Sequence, residues 1–497
     1  MRHSHSEIHM EGPPLPPGPT PLPWVGNVRG IDPAAPWTTY AEWGKIYGDV
    51  VYSRLFHQEI IIINTEKAAT ALMERRSHNF ADKPVIATND LLGMAFNTVL
   101  MPYGPRWLQH RRLFHQAFRA DAAVSYRPIQ MQRAHQLLFD VLEDPDDWKN
   151  AMQMLASSSI MKAVYDYDTQ PRSDPFVSVI EKTLRIVVQD LRPEVAAIFS
   201  AFPGLLKLPS WLPGMTIKRR AAEAKKYATD WLDLPFQHVQ KHMAAGTAAP
   251  SMVADALNKH AGEEEDEQFI TTLKEASASA FAAGSETTSS ALMNFVLAMV
   301  LYPEVQERAQ ALIDEVVGRD RLPTLEDRPS IPYIEAIIRE TLRWAPILPL
   351  VTPHATLEDD IYEGYFIPKG AMIMPNIWAM TRNEERFPNP TVFNPDRFMA
   401  PDGNVLPDDT SRILFGFGRR NCVGRHFADI SLWSTITLML ATFKFSKAKD
   451  TDGNVIDFEP KWCDGLAIHP LPFPCSITPR TPGLTKEMLA QIIRATA

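Results

Sequence analysis

The chain has little cysteine, no excess of basic charge and no long apolar run, and each shortage removes a class of protein. Three cysteines in 497 residues, at positions 422, 463 and 475, cannot staple a secreted disulfide scaffold. They point to a reducing, intracellular compartment in which a thiol is available for chemistry. The formal charge is −9, from 50 Lys and Arg against 59 Asp and Glu, which gives no electrostatic reason to bind nucleic acid. The longest apolar run, Ala291 to Tyr302, contains Asn294 and falls well short of the ~20 residues that span a bilayer. The first ten residues carry three histidines and no apolar segment, so they are neither a signal peptide nor a spanning helix; residues 1–12 read as an added or disordered tail.

What is plentiful is proline and apolar side chains. At 45% apolar the chain is globular, and its length exceeds the roughly 250–300 residues at which one core stops growing, which leaves one large unit or two domains. There are 42 prolines, above the usual ~5%. Seven of them fall in the eleven residues Pro13 to Pro23, which are therefore extended and stiff, a linker or a ligand for a proline-reading domain on composition alone. Apolar residues at three- and four-residue spacing predict helices over Ala68 to Arg75, Arg106 to Phe118, Gln130 to Leu142, Arg219 to His242, Glu267 to Leu301, Pro303 to Val317 and Ile331 to Trp344. Tyr302-Pro303 divides two of these. Strand-like stretches are few: Val50 to Tyr52, Glu59 to Asn64, Ile361 to Met374 and the tail from Phe445 to Pro479. Gly246 to Pro250 and the acidic Glu263 to Glu267 read as one solvated connection. The fold class is mainly α with a smaller β-rich part contributed by both ends of the chain.

The most informative segment is Phe415-Gly416-Phe417-Gly418-Arg419-Arg420-Asn421-Cys422-Val423-Gly424, followed by a helical stretch from Arg425 to Phe443. Three glycines permit a tight turn whose amides converge on one atom, and the helix offers its positive end; both favour a thiolate. The alternative is a buried structural cysteine beside a glycine turn. A zinc site would need further Cys or His at short spacing, and neither Cys463 nor Cys475 provides a Cys-x-x-Cys pair. The pattern F-x-x-G-x-R-x-C-x-G resembles that of the cytochrome P-450 haem-thiolate monooxygenases, and a chain of this composition would contain it by chance in about 3 of 100,000 cases. The resemblance implies that Cys422 is the axial thiolate on haem iron, that Arg420 meets a haem propionate and that Phe415 packs near the sulfur. A thiolate pushes electron density onto iron and favours O–O cleavage.

Four further matches lie in family order. Glu340 and Arg343, three apart on one helical face, are an ordinary solvated pair when taken alone. They resemble the family's E-x-x-R, whose third member matches Arg397 in Pro395-Asp396-Arg397-Phe398 and whose role is to brace the cysteine loop. Ala283-Gly284-Ser285-Glu286-Thr287-Thr288 sits mid-helix, where Gly284 costs ~1 kcal/mol relative to Ala and adjacent threonines compete for backbone bonds. It resembles A-G-x-(D/E)-T-T, which turns a locally weakened helix into a groove for O2 and water, with Thr287 holding the activated oxygen and Glu286 relaying protons. Glutamate stands where aspartate is commoner. Trp107 and Arg111 resemble the family's W-x-x-x-R, and His354 follows the E-x-x-R helix; each is implied to meet a propionate, while alone each would be an ordinary stacked or satisfied side chain.

The resemblance covers about Pro13 to Pro479 and implies the cytochrome P-450 fold, one domain from 24 to 497 closed around haem b (iron protoporphyrin IX). The implied reaction inserts one atom of O2 into a C–H or C=C bond with electrons from NADPH-cytochrome P-450 reductase, cytochrome b5 being a second candidate donor. Arg419, Arg425 and Lys149 are candidate contacts for that acidic partner. Pro13 to Pro23 resembles the hinge after an N-terminal anchor, which implies an anchor removed from this chain, a native place on the cytosolic face of the endoplasmic reticulum membrane, and a monomer. Ala35-Pro36-Trp37, Ile62-Ile63-Asn64-Thr65, Leu208 to Gly214 and His469 to Phe473 resemble fungal, notably basidiomycete, enzymes of secondary metabolism. Substrate contacts are then expected in Asp82 to Asn97, Leu191 to Pro213, Ser277 to Thr287, Ile347 to Thr352 and Trp462 to Ile468. These segments are mostly apolar, so a lipophilic terpenoid or a polycyclic or phenolic aromatic is expected, with Asp82, Lys83 and Asp464 adding charge wherever they face it. Phe202 to Met215 reads as a membrane-touching flap or a packed loop. The competing readings are a thiolate-haem isomerase or dehydratase, which has less need of Glu286 and Thr287, and a haem ligand sensor, for which no signalling module follows Pro479.

Overall fold

A run of four isoleucines, Ile60 to Ile63, has no polar face to turn to water, and it forms the interior of a four-stranded sheet. In the computed structural model β1 (Val50–Leu55) and β2 (Gln58–Ile63) form a hairpin with Val50 opposite Ile63. Strand β2 then pairs in parallel with β6 (Met372–Pro375), and β6 pairs antiparallel with β3 (His354–Ala355). All four isoleucines are buried, as a strand covered on both faces requires. A second hairpin joins β4 (Asp360–Tyr362) to β5 (Tyr365–Ile367). The structure describes residues 12–496 apart from 171–173, 191–197, 201, 213–214, 261–265 and 408–409. The N-terminal tail up to residue 11, much of the acidic connection and part of the expected 191–213 segment lie outside the described residues.

These strands belong to one of two compact units, made of residues up to 85, 350–380 and 417–420; the other comprises 86–349, 381–416 and 421–497. In the first unit the proline run lies along the sheet. Prolines lack N–H groups, so the run can offer only carbonyls: Pro17 O accepts from Tyr52 N (3.0 Å) and Pro14 O from Phe366 N (2.7 Å). A Cβ on Gly18 would lie 1.9 Å from Tyr52 O, which is why this one position among the prolines carries no side chain. The expected 68–75 helix is found as Glu66–Ala69 running into a π-helical turn, Thr70–Glu74.

The second unit is helical and is organised on one helix, Glu267–Leu301, capped by Asp266 accepting from Gln268 N and Phe269 N and ended before Pro303. Helices Trp148–Tyr165, Pro105–Phe118, Pro332–Trp344 and Arg425–Thr442 pack around it. Two hydrophobic cores meet on this helix, one taking Leu273 to Phe281 and the other Ala291 to Val300. Between them residues 282–287 are not buried, and Ala283 and Glu286 are exposed. Among the described residues one hairpin belongs to this unit, β7 (Phe443–Lys447) with β8 (Cys475–Pro479); the residues between them, expected as strand, are mostly loop. No single helix among the described residues is long and apolar enough to cross a membrane.

Two expectations are corrected here. A helix, Met252–His260, stands where a single connection was expected from 246 to 267. The Glu267–Leu301 helix is also regular through Gly284, so its open stretch comes from small side chains and not from a distorted backbone. A Cβ on Gly284 would lie 2.9 Å from Ile160 Cγ1, which makes this glycine the contact point of two crossing helices. Gly284→Ala is therefore expected to lose about 1 kcal/mol net, an overpacking penalty of roughly 1–3 kcal/mol less the ~1 kcal/mol of helix propensity regained. Combined with Ile160→Ala, which removes both Cγ1 and Cδ1, the change should cost less than the sum of the two single substitutions, and an additive double-mutant cycle in urea unfolding would show that the two side chains do not meet.

Candidate active site

The cysteine loop folds back on itself: Cys422 N donates to Phe415 O (2.7 Å), and Gly416 takes φ 78°. Helix Arg425–Thr442 starts directly after Gly424, so its first amides lie beside the sulfur. Cys422 keeps open surface although protein crowds it on every side, the signature of a side chain facing an internal recess. Burial pushes its thiol up; the Gly424 and Arg425 amides and the Arg111 and Arg425 guanidiniums pull it down, but burial prevails. These donors have the sign that favours a thiolate, and a metal cation on the sulfur would add to it, since a coordinated thiol is deprotonated outright.

Arg111 reaches this loop from helix Pro105–Phe118, donating through Nη1 to Asn421 O (2.7 Å) and Nη2 to Asn421 Oδ1 (2.5 Å). Trp107, one turn earlier, is buried with its ring 5.3 Å from Tyr103. A group that sequence reasoning missed holds this helix against Glu267–Leu301. Glu275 accepts from Arg106 Nε (3.0 Å) and Nη2 (2.5 Å) and lies 3.3 Å from His110 Nε2, while His110 Nδ1 is 2.8 Å from Thr98 Oγ1. Arg106 and His110 flank Trp107 and Arg111 in sequence, but their partner is 165 or more residues away, so no local spacing could announce it.

On the open stretch of the long helix, Thr287 Oγ1 donates to Ala283 O (2.7 Å), one turn back. Burial raises the Glu286 carboxyl above the usual range, so it keeps its proton to higher pH than a surface glutamate. The 462–469 segment approaches from the C-terminal part: Trp462 Nε1 donates to Asn294 Oδ1 (3.2 Å), and the Glu286 charge helps raise Cys463, after burial. Cys463 Sγ accepts from His469 N (3.3 Å) and sits 3.3 Å from His469 Nδ1, and Cys475 is pushed up to about 11 by burial. Both remain thiols held inside the protein.

The brace expected of Glu340 is complete. Its carboxylate accepts from Arg343 Nε (2.6 Å) and Nη2 (2.8 Å), Arg397 Nε (3.1 Å) and Asn394 N (2.7 Å), with Glu340 and Arg343 fully buried. Arg343 Nη1 also donates to Thr381 O and Pro390 O (both 2.9 Å).

In the first unit His354 Nδ1 donates to Phe80 O (2.8 Å) and Arg420 Nε to Ala81 O (2.5 Å). Burial, then the Lys83 charge, holds His354 well below the usual imidazole range. Residues 417–420 rest against the π-helical turn, where Gly418 N donates to Glu74 Oε1 (2.9 Å).

The model of the family described as cytochrome P-450 matches residues 16–476. The chain belongs to the cytochrome P-450 family. It is similar to cytochrome P-450 monooxygenase 208 of Postia placenta, 37% identical over 470 residues, 94% of this chain and 91% of that protein. It is equally similar to the monooxygenase claR of Ampulloclitocybe clavipes, 37% identical over 94% of this chain and 87% of that one. A tryptamine 4-monooxygenase of Psilocybe cyanescens is 33% identical over 95% of this chain and 94% of its own length. The chain is thus a monooxygenase of the basidiomycete type, an oxidoreductase that incorporates oxygen and takes a haem cofactor. The residues present fit that group: a recessed sulfur surrounded by donors, an uncovered stretch on an otherwise buried helix, and basic side chains suited to propionates.

Two glycines of the loop should separate sharply. A Cβ at Gly418 would sit 2.2 Å from Met73 O with φ at +55°, whereas one at Gly424 would meet only Cys422 Sγ at 3.9 Å. Gly418→Ala is expected to abolish recovery of haem-loaded protein and Gly424→Ala to retain it; equal haem content in the two purified variants would contradict this account of the loop.

Proposed function

We propose that this cytochrome P-450 hydroxylates or epoxidises a lipophilic substrate, a terpenoid or a polycyclic or phenolic aromatic, with NADPH-derived electrons delivered by a reductase. The observation that carries the reading is the pairing of Glu286 and Thr287 with uncovered surface on a helix buried on both sides of them. Cys422 Sγ would hold the iron of haem b, with Phe415 beside it; Trp107, Arg111, His354 and Arg420 would hold the propionates. When bound, the haem supplies activation of O2.

The chain's own part is proton handling and exclusion of water. Glu286, whose carboxyl burial raises above the usual range, is the proton donor in this reading. Thr287 Oγ1 gives its hydrogen to Ala283 O, so its oxygen keeps acceptor capacity; turning from Ala283 O lets the same hydroxyl donate onward. In the Ser277 to Thr287 segment Ser277 spends its hydroxyl on Leu273 O (2.8 Å) and Ser279 on Glu275 O (2.8 Å), which supports an apolar ligand. The tryptamine 4-monooxygenase is, by its name, a relative acting on an aromatic ring system. For the electron donor, a hollow of about 480 Å³ beside Asn421 and Val423 is lined by Arg111, His115, Arg119, Arg425 and His426, a basic surface suited to an acidic partner. Lys149, a further candidate contact, instead caps the Trp148 and Phe473 rings at 5.4 Å.

NADPH-dependent product formation with a reductase separates this reading from its rivals: turnover undiminished without any electron donor would establish an isomerase or dehydratase, and none under any condition a sensor. The reduced protein with carbon monoxide should show the red-shifted Soret band of thiolate ligation, and Cys422→Ala should abolish it; survival of that band would reassign the ligand. Thr287→Ala should raise peroxide release per NADPH consumed and lower product formation on the order of 10²-fold, the low end of what positioned proton transfer contributes. Unchanged coupling would remove Thr287 from oxygen activation.

A further inference from the structure

Asn294 interrupts the longest apolar run of the chain, and it is completely buried. Both ends of its amide are in use: Nδ2 donates to Ala345 O (3.2 Å), and Oδ1 accepts from Trp462 Nε1 (3.2 Å). The orientation is forced, because a carbonyl can only accept and an indole N–H can only donate. The partners lie 51 and 168 residues away in sequence, at the start of two stretches expected to touch the substrate, the one beginning at Ile347 and the one from Trp462 to Ile468. Those stretches are bonded to each other, Ile468 N donating to Ile347 O (2.8 Å), and the second is closed into a hairpin by Cys463 N on His469 O (3.0 Å) and Leu471 N on Lys461 O (2.8 Å). The bonds therefore form a circuit, from Asn294 through Ala345 and Ile347 to Ile468, round the turn to Trp462 and back to Asn294, all within the second unit.

Stability does not account for this residue. A leucine of similar shape would add to the core formed by Ala291 to Val300 without desolvating an amide. What a buried amide with two distant partners supplies is register: one alignment of the packed segments is satisfied and every slipped one is not, as with a buried asparagine in a coiled coil. The reference point is close. Asn294 follows Thr287 by seven residues, two helical turns on the same face and about 10 Å along the axis. The hairpin it holds comes near enough to Glu286 for that carboxylate's charge to act on Cys463. On the other side, the last carbonyls of helix Pro332–Trp344 have no partner within the helix; Trp344 O accepts from Arg382 Nη2 (3.0 Å) and Ala345 O from Asn294, so the point at which the chain leaves toward Ile347 is fixed as well.

We propose that Asn294 is a positioning residue for the substrate: its amide fixes how far the Ile347 and 462–468 walls stand from Thr287, and so fixes the size of the ring system that the open stretch of the long helix admits. This rests on the reading above that these segments contact the substrate of a haem-thiolate enzyme. Loss of such a residue matters little to a ligand that reaches only the iron and much to one that must also fit between the walls.

The test titrates the ferric, haem-loaded protein with imidazole, which needs only the iron, and with 4-(biphenyl-4-yl)imidazole, a rigid aromatic that must also pass between the walls, each followed by its Soret shift. Asn294→Leu should leave the affinity for imidazole unchanged and lower the preference for the biphenyl ligand about 10-fold, the worth of one neutral hydrogen bond. A preference that does not fall would make Asn294 a purely structural residue, whether or not the variant unfolds at lower urea, and would overturn the proposal. If Asn294→Leu is not recovered folded, Asn294→Ser, too short to reach both partners at once, serves in the same comparison with the same overturning result. Trp462→Phe, which keeps a ring beside Trp344 but deletes the Nε1 donor, should also lower the preference, and adding it to Asn294→Leu should lower it little further; effects that simply add would show that the two side chains act separately and would overturn the proposal too. Absence of the thiolate Soret band with carbon monoxide in the wild type would refute the haem-thiolate reading itself, whereas its presence with an unchanged preference refutes only the role of Asn294.

Discussion

The helical unit depends first on a buried carboxylate that has no water to lean on. Glu340 lies at zero exposure and survives there because four N–H groups from Arg343, Arg397 and Asn394 converge on its two oxygens. Breaking one partner out of such a group leaves an uncompensated charge in low dielectric, at a cost of roughly 3–5 kcal/mol. The consequence is geometric: helix Pro332–Trp344 is locked to the 388–397 segment, a run of turns ending in a short 3-10 helix, whose prolines cannot donate and so leave their carbonyls for arginine. Nearer the cysteine, Arg386 Nη2 donates to Thr410 Oγ1 (3.1 Å) at the start of the Thr410–Leu414 helix that leads into Phe415.

The sulfur poses the opposite electrostatic problem. Amides and guanidiniums pull the Cys422 thiol down while burial pushes it up and prevails. Donors of that sign suit a sulfur that ligates a metal. The amides and guanidiniums share the thiolate charge once iron is present, and the charge that remains on sulfur is what makes it an electron-rich ligand. Full ionisation without metal would mean stronger donors, which would withdraw that density.

The long helix and its end at Tyr302 were legible because Pro303 and the apolar periodicity are local signals, and so were Cys422 and the Glu340 group through their spacing. Trp148–Tyr165 was not, since it is buried on nearly every side and therefore lacks the polar stripe that reveals a helix. Pro36–Tyr47, Pro175–Asp190 and Lys486–Thr496 were also missed; their connections to the rest are made by packing, which leaves no mark on spacing. Gly284 shows a different limit. The sequence exposes its intrinsic helix penalty but not the Ile160 side chain that requires it, so the right residue was singled out for the wrong physical reason.

The uncovered stretch from Ala282 to Thr287 follows from that same contact. Two hydrophobic cores of different composition meet on one helix, and a continuous core would have closed over their junction. Alanine, glycine and serine in that stretch leave volume on the far side while Gly284 lets Ile160 approach on the near side, so the helix is held firmly from one direction and left open from the other. Such a seat suits an acid–alcohol pair: burial raises the Glu286 carboxyl above the usual range, and Thr287 is fixed by its bond to Ala283 O. Rigidity and access, normally opposed in a protein interior, are reconciled here by assigning them to opposite faces of the same helical turn.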